Sequence, residues 1–393
     1  MIAAALVFGV SLGTMQAATP AKPPVRQAPV GQPQAARSFE AVAAAAARAR
    51  DDGRLDEAIT QYRRGVALRP SWDEGRWYLG SSLYERERFA EAKTAFEGLI
   101  ARQPRHAGAV AMKGLCEYAL AEHEAALRTL LRARALGVKR DAELNRVVSW
   151  HTGVLLTRFG EFEMGYAVLS ELSGDNVESP TVIDALGLNL LRMPILPSAI
   201  PEARKPLVRF AGRAAFAMGG RHLAEAAKLF DELVRTYPRE PNVHYARGVL
   251  RTTEDPPGAL EDFEAELAIS PNHIPARLQI VFELVKRNEA ARAKPYAEDA
   301  VRLDPEAFAT HLAMGQVWFE TGEIDKAIAA FEHGVKLAPG SPQARFLLAR
   351  AYGRAGRTAD ADRERAEFRR LEDVKAGTTG DPGTGVPARR SPP

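Results

Sequence analysis

Apolar side chains recur at three- and four-residue intervals between residues 307 and 339, which is the spacing of one face of an α-helix. In the first half of this segment Met314 and Trp318 lie four residues apart, and in the second half Phe331 belongs to a similar stripe. Polar residues occupy most of the positions between them. The pattern predicts two amphipathic helices, over about residues 307–320 and 324–336, that pack through their apolar faces.

Glycine and proline mark the turns of this predicted pair of helices. Gly322 separates the two helices, and Pro339 prevents the second from continuing. Gly315 carries no side chain on the packing stripe, so the two helices can approach closely there. A single hairpin cannot bury its own apolar face, and neighbouring hairpins must therefore stack on it.

The same sequence pattern recurs several times along the chain. Residues 52–70, DGRLDEAITQYRRGVALRP, align without a gap on residues 321–339, TGEIDKAIAAFEHGVKLAP. Prolines close the copies at 34-, 33-, 34- and 34-residue intervals wherever the series is unbroken: Pro70, Pro104, Pro238, Pro271, Pro305 and Pro339. A constant period of this length is typical of helical repeat proteins.

The clearest copy resembles the tetratricopeptide repeat. The resemblance is carried by Met314-Gly315, Trp318, Ala327, Phe331 and Pro339, with His311 where the family usually has tryptophan. It covers roughly residues 39–371. It implies an all-α fold, an α-solenoid of about eight antiparallel helix hairpins in a right-handed superhelix.

The regular series is broken between Pro104 and Pro238. Two degenerate copies fit the first part of this interval, and a helix-like stretch, TVIDALGLNLLR, and a proline-rich stretch, MPILPSAIPEARKP, follow them. We interpret residues 177–206 as an extra, unpaired helix and a proline-rich elbow; the alternative is a pair of badly decayed repeat helices. The elbow would divide an N-terminal subarray, residues 39–176, from a C-terminal subarray, residues 207–371.

The two ends of the chain have a different composition. Residues 1–18 are apolar and uncharged, have the length of a signal-peptide core and are short for a membrane span. They predict an extracytoplasmic protein, periplasmic or secreted, with cleavage or retention of residues 2–18 as a membrane anchor left open; an apolar tail on a cytoplasmic protein is the third alternative. Residues 19–38 and 372–393 predict a disordered linker and tail.

Charge and cysteine content exclude several classes of function. The net charge is +3 and the charges beyond residue 38 are balanced, so no basic stripe predicts nucleic-acid binding. The single cysteine, Cys116, excludes an intrachain disulfide and a cysteine zinc cluster, and the eight histidines lack metal-ligand spacing. Neither a cofactor nor an enzyme activity is expected. A thiol nucleophile, Cys116 with His106 or His123, is the nearest catalytic alternative.

The resemblance implies that the first helix of each hairpin lines a concave groove. The groove would hold an extended peptide or partner protein. Polar side chains of the groove would bind the backbone amides of this partner, and aromatic rings would supply the anchor area. The front patch comprises Trp77 and Tyr84, and the longer rear patch comprises Asn242, Tyr245, Leu278, Phe282, Leu312, Gln316, Phe319, Phe346 and Arg350. A non-catalytic scaffold is therefore predicted. The alternatives are an assembly factor of a cell-envelope complex, acting by self-association or through the convex face, and an unrecognised enzyme.

Overall fold

The computed structural model describes residues 34–138 and 141–379, and this part of the chain is all-α. The chain divides into two compact units, Met1–Leu223 and Ala224–Pro393. The helices of the first are α1 (Gln34–Asp51), α2 (Leu55–Leu68), α3 (Asp73–Glu85), α4 (Phe89–Arg102), α5 (Ala107–Ala119), α6 (His123–Ala135), α7 (Ala142–Arg158), α8 (Phe162–Gly174), α9 (Pro180–Leu190) and α10 (Lys205–Gly219).

The second unit continues the series from α11, which begins at the boundary residue Leu223. Its helices are α11 (Leu223–Thr236), α12 (Val243–Arg251), α13 (Pro256–Ile269), α14 (Ile274–Lys286), α15 (Ala290–Leu303), α16 (Phe308–Glu320), α17 (Ile324–Leu337), α18 (Pro342–Arg354) and α19 (Thr358–Thr379). The bounds of α16 and α17 confirm the two helices predicted from the apolar pattern.

Consecutive helices pack as hairpins, and the hairpins stack in chain order. In the first unit α1 pairs with α2, α3 with α4, α5 with α6 and α7 with α8, and the first helices of successive hairpins, such as α3 and α5, also touch. In the second unit α12, α14, α16 and α18 each pair with the helix that follows, and α16 contacts both α14 and α18. This arrangement confirms the predicted α-solenoid of helix hairpins.

A glycine on the first helix of a hairpin receives a large side chain from the second. A β-carbon on Gly315 would lie 2.5 Å from Cε1 of Phe331, and one on Gly80 would lie 2.7 Å from Cε1 of Phe96. The two partners stand sixteen residues apart in both hairpins. Because real β-carbons do not approach so closely, the ring occupies the space that the glycine leaves. The expectation that Gly315 marks a close helix crossing is confirmed.

At several hairpin boundaries the residue six positions after the closing proline ties a hairpin to the preceding one. Nε2 of His311 donates to the carbonyl of Pro305 at 2.6 Å, Nε2 of His244 contacts the carbonyl of Pro238 at 3.2 Å, and a guanidinium nitrogen of Arg345 contacts that of Pro339 at 3.4 Å. The carbonyl at the end of one hairpin thereby gains a donor from the next. This bond explains how histidine serves at position 311 in place of the family's tryptophan.

The structure corrects the prediction of an unpaired helix in residues 177–206. Helix α9 packs closely against α10, and a β-carbon on Gly187 would overlap the carbonyl of Val208, as one on Gly212 would overlap that of Ile183. The proline-rich segment is the connection between the two helices and contains two 3₁₀ turns, Pro197–Ala199 and Glu202–Arg204. Both helices and their connection lie in the first compact unit, which ends at Leu223.

Both predicted disordered segments overlap helices at their inner ends. Helix α1 begins at Gln34, inside the expected linker of residues 19–38, and α19 continues to Thr379, inside the expected tail of residues 372–393. The predicted signal peptide or anchor of residues 1–18 lies outside the described residues. Among the helices that the structure describes, none combines the length and the apolar composition that a bilayer span requires.

Candidate partner-binding surface

The two residues of the front patch pack between helices of the first unit. The half-buried Trp77 ring lies 5.4 Å from the ring of His106 in a stacked arrangement and 5.7 Å from that of Phe96. The Tyr84 ring lies 5.2 Å from that of Phe89, and burial raises the pKa of the Tyr84 hydroxyl to about 12. Trp77 therefore contributes to the contact between the α3–α4 hairpin and the start of α5, and Tyr84 contributes to the contact within the α3–α4 hairpin.

Asn242 and Tyr245, the first residues of the rear patch, are held by a buried carboxylate. Asn242 adopts φ +71° at the start of α12, and its backbone N–H donates to Oε1 of Glu266 at 2.8 Å. The backbone N–H of Tyr245 contacts Oε2 of the same carboxylate at 3.3 Å. The side-chain oxygen of Asn242 also lies 2.9 Å from Nε2 of His273, and the Tyr245 ring lies 4.7 Å from the His273 ring. These contacts join the start of α12 to α13 and α14.

Sequence reasoning missed Glu266, whose side chain is completely buried. Its carboxylate accepts the backbone N–H groups of Asn242, which precedes α12, and of Tyr245 in its first turn, and so caps the N-terminus of this helix. The sequence did indicate that Glu266 is buried, because it follows Phe263 by three residues and so lies on the same buried helix face.

The middle of the rear patch lies partly in the core of the second unit. Leu278 and Phe282 on α14 are half-buried and pack against the apolar cluster built from α13 to α16. Leu312 is only 2% exposed and belongs to the core between α16 and α18. Its side chain is therefore not accessible to a partner.

The end of the rear patch forms a cleft between α16 and α18. This α16–α18 cleft has a volume of about 70 Å³ and is lined by Val285, Gln316, Phe319, Glu320, Phe331, Leu347 and Arg350. Three predicted residues therefore meet there: Gln316, Phe319 and Arg350. The Phe319 ring forms the wall of the cleft and is 7% exposed, while Arg350 lies at its mouth.

Arginine side chains cover the Phe319 ring. The guanidinium carbons of Arg350 and Arg354 lie 4.8 and 5.0 Å from its centroid, within the range of cation–π contacts. Phe346 lies beside them with 47% of its surface exposed, and its ring is 5.8 Å from that of Phe368 on α19. Arg354 was not predicted, although it follows Arg350 by four residues and so lies on the same helix face.

A larger open cleft, of about 440 Å³, lies in the first unit near the turns that follow α5 and α7. Its lining carries both signs of charge, including Glu122, Glu124, Arg128 and Arg158. Glu122 is paired with Lys93 at 2.7 Å, and Arg158 reaches the carbonyl of Pro194 at 3.3 Å. Two of its four charged groups thus already have partners within the first unit.

The thiol of Cys116 lies in the core of the first unit. Cys116 is 0% exposed, and burial raises the pKa of its thiol to about 12. A nucleophilic cysteine needs its thiolate at neutral pH and access to substrate. The Cys116 environment opposes both requirements. Within residues 34–138 and 141–379, no three histidine, cysteine, aspartate or glutamate side chains are grouped so that they could hold a metal ion.

The sequence matches the tetratricopeptide repeat family along most of its helical hairpins. The matched segments are residues 44–92, 79–137, 211–274, 283–342 and 322–370. The chain belongs to the tetratricopeptide repeat family. Tetratricopeptide arrays present extended binding surfaces to other proteins, so membership supports a general role as a protein-interaction scaffold.

Several known proteins are similar to parts of this chain. The chain is 26% identical over 348 residues to the protein named cellulose synthase 2 operon protein C of Komagataeibacter xylinus, and the match covers 84% of this chain but only 24% of that protein. Among solved structures, MamA residues 41-end from Desulfovibrio magneticus RS-1 is 19% identical, with a TM-score of 0.39, over 46% of this chain and 100% of its own. An RS-1 MamA ArsTM double mutant is 20% identical, with a TM-score of 0.40, over 46% and 99%.

Proposed function

We propose that this tetratricopeptide repeat protein is a non-catalytic scaffold that binds an extended segment of a partner protein along α14, α16 and α18. These three helices lie side by side and carry five residues of the predicted rear patch outside the core: Leu278, Phe282, Gln316, Phe346 and Arg350. Phe319, which is buried, forms the wall of the cleft beneath them. A segment crossing successive repeats would meet the rings on one helix after another.

The exposed ring of Phe346 carries this proposal. Apart from Leu223 at the boundary of the two units, it is the one large apolar side chain that is exposed in the described part of the second unit. It lies next to Arg350, which lines the α16–α18 cleft. An exposed ring beside a cleft has the character of an interface anchor, because its burial by a partner removes a large apolar area from water.

A photo-crosslinking experiment tests the proposal in cells. Phe346 is replaced by benzoylphenylalanine, and Ala329, an exposed position on α17, receives the same group as the matched control. We expect an adduct with a second protein from position 346 and none from position 329. Adducts from position 329 alone would contradict the proposal and favour the opposite helices of the hairpins as the interface.

The same experiment addresses the second candidate, a structural role in a cell-envelope assembly. The named relative, a cellulose synthase operon protein, is the observation that favours it, although this chain spans 24% of that protein. An adduct between two copies of the chain would support self-association. We further propose an extracytoplasmic location, because residues 1–18 are apolar and uncharged. Protease protection, compared between intact and opened cells, measures this location.

A further inference from the structure

The α16–α18 cleft contains a hydrogen-bond acceptor that the fold leaves unused. Oε1 of Gln316 is buried and has no donor among the described residues. A buried oxygen without a donor costs free energy, and this cost is recovered when a bound group donates to it. The volume of about 70 Å³ is far below that of pockets for drug-sized molecules, and it suits one peptide unit or a small side chain.

Two cations that contact the Phe319 ring of the cleft lack acidic partners. Arg350 and Arg354 are exposed and form no ion pair with any residue that the structure describes. Most arginines nearby are paired; Arg357, for example, contacts Asp360 at 2.7 Å. The shared Phe319 ring holds both guanidinium groups close together, despite the repulsion between like charges one turn apart. Such a pair is suited to a carboxylate, which accepts hydrogen bonds from both groups.

One acidic side chain faces the same region. Glu320, the last residue of α16, lines the cleft and is exposed. With Arg350 and Arg354 it leaves a surplus of one positive charge at the mouth, since two guanidinium groups stand against one carboxylate. The surplus favours an anionic group over a neutral or cationic one.

We propose that the α16–α18 cleft selects an extended protein segment in which an acidic side chain stands next to apolar ones. The inference rests on the proposed scaffold function and names the chemical class of its partner. A backbone N–H of the segment donates to Oε1 of Gln316, and its carboxylate pairs with Arg350 and Arg354. Its apolar side chain packs on the exposed ring of Phe346.

Binding is measured with the purified full chain and two synthetic probes. The first is a short fluorescein-labelled peptide, blocked at both ends, that alternates leucine and aspartate; the second replaces each aspartate by asparagine. We expect the acidic probe to bind roughly tenfold more tightly at low salt, because a hydrogen bond between charged groups outweighs its neutral equivalent. High salt should remove most of this preference.

Three variants separate the parts of the site. In the double variant Arg350→Gln and Arg354→Gln we expect the affinity for the acidic probe to fall roughly tenfold and that for the asparagine probe to change little. The matched control, Arg292→Gln with Arg302→Gln, removes the same charge from exposed arginines of α15 that already have acidic partners. Glu320→Gln should instead tighten binding of the acidic probe.

The outcomes separate this inference from the function on which it rests. Equal affinity for the two probes, or equal losses in the two arginine double variants, would overturn the selection of acidic segments. If position 346 still crosslinks to a partner in cells, the scaffold function stands without it. If neither probe binds and position 346 gives no adduct, both proposals are wrong. Circular dichroism of each variant confirms that the helices are intact.

Discussion

In two helix pairs of this protein glycine allows the helices to approach closely, but a different group lies against the glycine in each pair. In α16–α17 the space left by Gly315 is filled by the ring of Phe331, so a side chain meets a backbone. In α9–α10 Gly187 and Gly212 each face a carbonyl of the opposite helix, so two backbones meet. A ring can change rotamer when its site changes, whereas a helical carbonyl cannot move without breaking its helix.

The two helix pairs also differ in how they match the tetratricopeptide repeat pattern. The α16–α17 hairpin lies within segments that match the tetratricopeptide family, whereas α9 lies outside them all. In a repeated hairpin the close approach depends on a glycine and an aromatic ring that recur at a fixed spacing. In the inserted pair, α9–α10, the close approach depends on two glycines, Gly187 and Gly212, that each face a backbone carbonyl. We therefore expect the inserted pair to tolerate added bulk less well than the repeats.

The largest effect is expected from Gly187→Val. The new side chain would overlap the carbonyl of Val208, and we expect a loss of about 3 kcal/mol or more in the free energy of unfolding. Gly174→Val is the matched control, because no atom lies within 4 Å of a β-carbon there and its cost should stay near 0.5 kcal/mol. Urea unfolding followed by circular dichroism measures both. Similar losses at the two positions would break the comparison.

A smaller effect is expected from Gly315→Leu, at about 1 to 3 kcal/mol, because the Phe331 ring can give way in part. Combining it with Phe331→Ala exchanges the large and small partners. The cost of the double variant should then be less than the sum of the single costs, as expected of residues in contact. A strictly additive result would show that the ring does not fill the space over Gly315.

The smallest effect is expected from Asn189→Ala on α9. Its buried amide donates to Oγ1 of Thr157 at 2.9 Å and to the carbonyl of Phe162 at 3.0 Å, which ties α9 to the preceding hairpin. Loss of the two bonds should cost about 1 to 2 kcal/mol. A loss as large as that of Gly187→Val would mean that α9 depends on α7 and α8 as much as on α10.

Local patterns in the sequence were sufficient for the repeated part of the fold. The 34-residue period, the glycine that receives a ring sixteen residues later and the closing proline all describe contacts within one hairpin or between neighbours. Residues this close along the chain meet whenever the two helices form, so their spacing predicts their contact. The helices over residues 308–320 and 324–337 were accordingly predicted almost to the residue.

The tertiary structure alone decided which of these side chains remain accessible. Leu312 and Phe346 both occupy the predicted rear patch, yet the first is 2% and the second 47% exposed. Arg350 and Arg354 meet Phe319 from more than thirty residues away, and α9 meets α10 through glycines that carry no periodic signal. Such contacts depend on how far each helix is rotated and how closely it approaches its neighbour. These quantities are set by the packing of the whole stack, and no short stretch of sequence contains them.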